Sequence, residues 1–278
     1  MSRPKAYTQS QPETPHAATQ HSSESRIVSV VLPYGGKGLL GLPATRSLGI
    51  VLFAHTGPGG PCTQYNCFVA KALQRAGIAT LLVDLLAEDE ASQPTDIWQD
   101  TNAGSVALLA QRLNAAADWA IERVKADHGS PDRGGQFMQP LGLFGAGIGA
   151  AATLAVAAQR HDVRAVIDGC GRVDLAGAAL AHVAAATLFI VGDQDSKLLA
   201  LNKAAYEQLQ CPRRLEVVPT AAHVFDEPVF LDELVTLART WFLRHMTFEL
   251  PADLPADHGA MASCFAPVPT ATHDYLAQ

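Results

Sequence analysis

Long apolar runs, basic clusters and cysteine pairs are what this sequence has least of. No stretch of about 18 uninterrupted apolar residues occurs, so no membrane span is expected. No run of Lys or Arg stands out and the formal net charge is −7, which argues against nucleic acid as a partner. The five cysteines, Cys62, Cys67, Cys170, Cys211 and Cys264, are scattered. None forms a CxxC pair and none has zinc spacing to a histidine, so no metal is expected. An odd count without a framework fits a reducing compartment. Residues 1–25 are polar and lack the apolar core of a secretory signal. These absences together predict a cytoplasmic protein with no membrane association.

What is present is a chain of 278 residues, 48% of them hydrophobic, enough to bury one sizeable core. Residues 1–25, rich in Ser, Thr, Gln, Pro and His, read as a flexible tail. Residues 250–278, with Pro251, Pro255, Pro267 and Pro269 among small polar groups, read as a second tail. Between them, over 26–249, apolar runs alternate with helical patterns. Ile27–Leu32 and Gly38–Leu42 open as a pair of strands. Strands are then expected at Gly49–Ala54, Ile78–Asp84, Pro140–Phe144, Val163–Ile167, Ala186–Val191 and Leu215–Val218. Helices are expected at Gln64–Ala76, Asn102–Lys125, Ala150–Ala158, Leu175–His182, Leu198–Leu209 and Val229–His245. Strands alternating with helices give an α/β fold, a mostly parallel open sheet with helices on both faces.

Ligands of such sheets bind beyond the carboxyl ends of the strands, so the residues that follow each strand carry the functional reading. After Phe144 comes Gly145-Ala146-Gly147-Ile148-Gly149 and a helix of small residues. That is the frame of a nucleophile elbow, G-x-S-x-G, with no side chain at its centre. Taken alone it is also what any tight strand-to-helix turn needs. After Val191 comes Gly192-Asp193-Gln194-Asp195. Asp195 could hold an imidazole, or could simply cap a helix. After Val218 comes a loop with His223. After Ala54 comes His55-Thr56-Gly57-Pro58-Gly59-Gly60. Backbone N–H groups here, at Thr56, would form half of an oxyanion hole, with the N–H of Ile148 as the other half. The order elbow, acid, histidine is that of the α/β-hydrolase fold.

With those segments in view, the chain resembles the bacterial dienelactone-hydrolase-like α/β-hydrolases, a group that includes members found next to phosphoribosyltransferases. The resemblance covers roughly Ile27 to His245. It rests on Gly49–His55, Phe68–Leu73, Ala79–Leu85, Gly145–Gly149, Asp174–Gly177, Val191–Asp195, Leu215–Pro219 and His223–Phe225. It implies Asp195 as triad acid, His223 as triad base, and a nucleophile at position 147, where such relatives carry Ser or Cys. This chain departs there, and again at Thr56 and Ile148, where relatives carry Gly and a small or polar residue. It implies a small ester or lactone as ligand or substrate and no cofactor.

Glycine tolerates the positive φ of an elbow, so the fold survives without the nucleophile. Without Oγ there is no acyl-enzyme. Three readings stay open. They are a scaffold that works by binding alone, a different reaction in which His223 and Asp195 act as the general base, and a replacement nucleophile. For the last, Cys170 in Asp168-Gly169-Cys170-Gly171 lies at the correct sheet edge, although a buried structural thiol is the commoner fate. Asp168 could serve as a substitute acid for His223. The loop Ala87–Asp100 is expected to overhang the site.

Overall fold

A computed structural model of the chain describes residues 25–56, 60–87, 103–127, 139–219 and 228–247. The chain divides after Thr247 into two units, and all the described residues belong to the first. The expected tails, the loop over 88–100 and His223 lie outside the described residues.

Eight strands form one sheet: β1 Arg26–Val31, β2 Gly36–Leu42, β3 Ile50–His55, β4 Ala79–Ala87, β5 Leu141–Ala146, β6 Val163–Gly169, β7 Ala186–Gly192 and β8 Arg213–Val218. Their order is β1-β2-β4-β3-β5-β6-β7-β8. β1 pairs antiparallel with β2, and β2 antiparallel with β4. From β4 to β8 every pairing is parallel. Among the described residues five α-helices accompany the sheet: α1 Gln64–Arg75, α2 Ala103–Asp127, α3 Ile148–Ala157, α4 Ser196–Gln208 and α5 Pro228–Met246.

The strand sequences explain the layering. In β3, Val51 and Phe53 point to one side, where Val69, Ala70 and Leu73 of α1 and Leu234, Ala238 and Phe242 of α5 cover them. Leu52 and Ala54 point to the other, under α2 and α3, where Leu109, Leu113, Ala151 and Leu154 pack. A strand covered on both faces must be apolar along most of its length, and β3 up to its terminal His55 and β7 apart from the buried Thr187 are. The α3 helix, Ile-Gly-Ala-Ala-Ala-Thr-Leu-Ala-Val-Ala, is small and apolar all round and almost wholly buried, as a helix wedged between α2 and the sheet must be.

The expected elements all appear, with shifted ends. One differs in kind. The segment expected as a helix at Leu175–His182 is a 3-10 stretch, Val173–His182, broken at Gly177 with φ 52° and ψ −130°. The glycine takes a backbone state that other residues avoid, so a single α-helix cannot run through it. A second difference concerns the cysteines. Cys62 and Cys67, read as unpaired, are joined by a disulfide across a Cα separation of 5.5 Å. Thr63 caps α1, accepting from the Asn66 N–H at 3.3 Å, and the turn this makes brings Cys62 back over the first turn of the helix.

Candidate active site

The site is built around the turn from β5 into α3. Gly145 and Gly149 let the helix sit on the strands without side chains between. A β-carbon on Gly145 would lie 2.7 Å from Ala150 Cα, and one on Gly149 2.6 Å from the Ala54 carbonyl oxygen. Between them Gly147 has φ 55° and ψ −131°, in the region that L side chains rarely adopt. A β-carbon there would meet nothing within 4 Å among the described residues. The position thus has the backbone of an elbow with no described neighbour over it. Ile148 opens α3, where the first N–H groups of a helix have no partner within it and carry partial positive charge. Thr56, at the end of the adjacent β3, is buried.

The carboxyl edge next to this turn is crowded. The Gly147 carbonyl accepts from the Arg172 N–H at 2.9 Å, which ties the elbow to the segment after β6. Arg172 is held in turn by a two-pronged ion pair to Asp174, 2.8 Å at each contact. The pairing holds the Asp174 carboxyl below its ordinary range. Cys170, within this segment, has φ 50°, unusual for a residue with a β-carbon. Its N–H donates to Ile190 O at 2.8 Å, and its half-buried side chain packs against the α1/α5 face.

Asp168 lies deeper. It is fully buried in β6, in register with Gly145 and Phe189. Neither carboxylate oxygen has a hydrogen-bond partner of regular geometry among the described residues. Burial pushes its carboxyl well above the usual range, opposed only by the Gly171 amide.

Asp195 is the N-cap of α4. Its carboxylate accepts from the Leu198 N–H at 2.9 Å and is exposed. Of the two readings of this residue, the structure displays the cap; its expected partner His223 lies outside the described residues.

On the other side of the elbow, sequence reading passed over a pair. β3 and β4 run parallel with His55 in register with Asp84 at their carboxyl ends. The two positions share the face of Phe53 and Leu82, toward α1. Asp84 is buried, and its Oδ1 accepts from the Leu86 N–H at 3.1 Å. Burial pushes its carboxyl up; the Leu86 N–H and the charges of His55 and Lys37 pull it down. The end of β4 is braced from two sides. Tyr34 donates from its hydroxyl to Asp84 O at 2.8 Å, and Arg112 of α2 donates to Leu85 O at 2.9 Å while lying 5.6 Å over the Tyr34 ring. The signal available in sequence was a histidine and an aspartate each closing a buried strand, but their pairing needed the register.

Among the described residues no group of three or more His, Cys, Asp or Glu side chains could hold a metal ion. Among them also, no helix is long and apolar enough to cross a membrane.

The sheet order and the glycine-framed turn define an α/β-hydrolase fold. A structure described as an α/β serine hydrolase homologue from Coxiella burnetii shares it, with a TM-score of 0.59, 20% identity and coverage of 78% of this chain and 97% of that one. A dienelactone hydrolase from Anabaena variabilis is much nearer, with 39% identity, a TM-score of 0.67, and coverage of 80% of this chain and 98% of that one. The chain belongs to the dienelactone-hydrolase family of α/β-hydrolases. It is also 38% identical, over 224 residues, to a Mycobacterium tuberculosis protein that carries a provisional phosphoribosyl transferase name. That match takes in 80% of this chain, but the chain spans only 46% of the length of the curated relative. No family model matches the chain.

Proposed function

We propose that this protein binds a small ester or lactone at the carboxyl edge of its sheet, over Gly147, and hydrolyses it without an acyl-enzyme. The observation that carries the reading is Gly147 itself: it keeps the strained elbow conformation, and among the described residues nothing fills the place of a nucleophile's β-carbon. In place of Oγ, a water would stand over the turn. His223, oriented by Asp195, takes a proton from that water as its oxygen attacks the carbonyl carbon. The carbonyl π pair moves onto oxygen, facing the N–H groups of Thr56 and Ile148. When the intermediate collapses, the ester C–O bond breaks and the leaving alkoxide takes the proton back from His223. The products are the acid and the alcohol, or the hydroxy acid from a lactone, and no cofactor takes part.

One observation favours a second reading, a binding protein without turnover. The Asp195 carboxylate already accepts a backbone hydrogen bond at the start of α4, so it is committed in part to capping. Phosphoribosyl transfer is not carried to this chain. The matched portion is accounted for by a hydrolase covered over 98% of its length, while more than half of the transferase-named relative has no counterpart here. The cytoplasmic location, a small-molecule partner, and the absence of nucleic-acid and membrane partners belong to the same proposal.

The discriminating experiment is turnover of p-nitrophenyl acetate by the full chain. Hydrolysis above buffer that disappears in His223→Ala supports the enzyme. Absence of turnover, together with saturable binding of a lactone, supports the binding protein.

A further inference from the structure

The sheet places three positions side by side toward its carboxyl edge: Asp84 where β4 ends its pairing with β3, His55 at the end of β3, and the elbow Gly145–Gly147 at the end of β5. His55 is therefore the strand-end side chain between a buried carboxylate and the turn where the ligand is read to sit. We propose that His55 and Asp84 form a second imidazole–carboxylate pair on the oxyanion side of the site. In it Asp84 positions His55 and holds its positive charge, and His55 donates a hydrogen bond to the carbonyl oxygen of the bound ester or lactone. This rests on the reading that such a ligand binds over Gly147, and it adds a residue which that reading does not use.

Three observations support it. The first is adjacency. In-register neighbours on parallel strands put their side chains on the same face, and β3 reaches close enough to the elbow for the Ala54 carbonyl to touch the position of a Gly149 β-carbon. The second is the cost of Asp84. A carboxylate placed where little solvent reaches it is unfavourable unless a charge or donor compensates. Here the groups that favour its ionised form are the Leu86 N–H, His55 and Lys37. Tyr34 and Arg112 each give a hydrogen bond to the backbone of this part of β4. The third is chemical. An acyl-enzyme mechanism can draw on a covalently tethered intermediate, whereas attack by water at a glycine elbow leaves more of the barrier to stabilisation of the oxyanion. Thr56 and Ile148 offer uncharged donors there, their backbone N–H groups and the Thr56 hydroxyl. An imidazolium next to them supplies a charged one.

His55 acts here as a donor throughout: its proton stays on nitrogen, and the hydrogen bond strengthens as the carbonyl oxygen gains charge. Activity then requires His55 protonated, and falls as pH rises through its titration.

The test uses the full chain with His55→Gln and Asp84→Asn, each checked for folding by circular dichroism. By NMR, the His55 titration midpoint should fall by about one pH unit or more in Asp84→Asn. γ-Butyrolactone should perturb the His55 ring resonances in the wild type. In p-nitrophenyl acetate turnover, His55→Gln should lower kcat about 10²-fold with little change in KM. Asp84→Asn should move the alkaline limb of the pH profile to lower pH, which a purely structural role would not do. An unchanged His55 midpoint, an unperturbed ring at saturating lactone, or an alkaline limb that stays in place overturns the proposal. A wild type without turnover defeats the hydrolytic reading alone, because the midpoint shift and the lactone perturbation still decide the pair.

Discussion

The carbonyl oxygen of Ala54 lies 2.6 Å from where a β-carbon on Gly149 would stand. The atom in the way belongs to the backbone of β3, in the middle of the parallel sheet, and cannot rotate aside as a side-chain end could. Gly149→Ala should therefore lower stability by about 1–3 kcal/mol, the usual cost of forcing an extra carbon into a packed core. Gly147→Ala, which meets no described neighbour within 4 Å, carries the cost of its positive φ, about 1–3 kcal/mol. Chemical denaturation measures each variant against the wild type. A Gly149→Ala protein as stable as the wild type would mean that α3 can lift from the sheet without penalty.

Asp168 makes a pH prediction with a definite sign. Its carboxyl is raised by burial in the folded chain, whereas in the unfolded chain it ionises near pH 4. Between those two values the folded state holds a proton that the unfolded state has lost. Its contribution to stability is thus intact below about pH 4 and declines as pH rises toward the folded pKa, by up to about 1.4 kcal/mol per pH unit. Asp168→Asn removes this linkage. The variant should equal the wild type in stability near pH 4 and exceed it increasingly as pH rises toward the folded pKa, read from Tm as a function of pH. A gain that does not grow with pH would show that the carboxylate is compensated in the folded protein.

How far the sequence carried depended on the kind of information each feature needs. Parallel strands buried on both faces announce themselves as apolar runs, so Ile50–His55 and Ala186–Gly192 were legible within a residue or so. The elbow was legible because close packing of α3 demands Gly145 and Gly149 at fixed spacing. Three features were not. The break at Gly177 depends on backbone angles that a glycine permits but does not require. The Cys62–Cys67 bridge depends on the turn that Thr63 caps. The adjacency of His55 and Asp84 depends on strand order, because β4 follows β3 in the chain but the elbow strand lies on β3's other side. Asp195 was legible as a residue at a strand end, and both of its readings, cap and acid, are local patterns that sequence cannot separate.

The Cys62–Cys67 bridge closes a short loop at the start of α1. By chain-entropy reasoning a loop of this size stabilises by about 2 kcal/mol at most. In protein purified without reductant, both cysteines should resist iodoacetamide until dithiothreitol is added, and Tm should then fall by a few degrees. Prompt labelling of both in the untreated protein would show that the chain is reduced as isolated, as the cytoplasmic reading prefers.

Cys170 is weighed by its reactivity. A replacement nucleophile needs an accessible thiolate in a positive environment. Here the thiol is half-buried against the α1/α5 face, and the nearby Arg172 is engaged by Asp174. Iodoacetamide should label Cys170 no faster than a free cysteine near neutral pH, followed by peptide mass spectrometry. Cys170→Gly, which suits the left-handed φ of 50°, should leave any esterase turnover in place. Fast labelling, or loss of turnover in that variant, would restore Cys170 as the nucleophile.

Gly147→Ser tests what else the site retains. The backbone at 147 already has elbow angles, and a β-carbon there meets nothing within 4 Å among the described residues, so serine can be seated without displacing any of them. It must accept the positive φ, at about 1–3 kcal/mol of stability. If His223 and Asp195 stand as the chain order implies, the variant gains an acyl-enzyme route. Its turnover of p-nitrophenyl acetate should then rise by a substantial part of the roughly 10⁶-fold that loss of a triad serine costs in a protease. A pre-steady-state burst of nitrophenol, one equivalent per chain, would mark the covalent intermediate. The gain should fall short of the full factor, because the branched Ile148 side chain stands directly beside the N–H that would face the oxyanion. A folded Gly147→Ser protein with neither burst nor increased turnover would mean that the imidazole and acid no longer meet over the elbow. The binding-protein reading would then account better for a site whose frame has been kept.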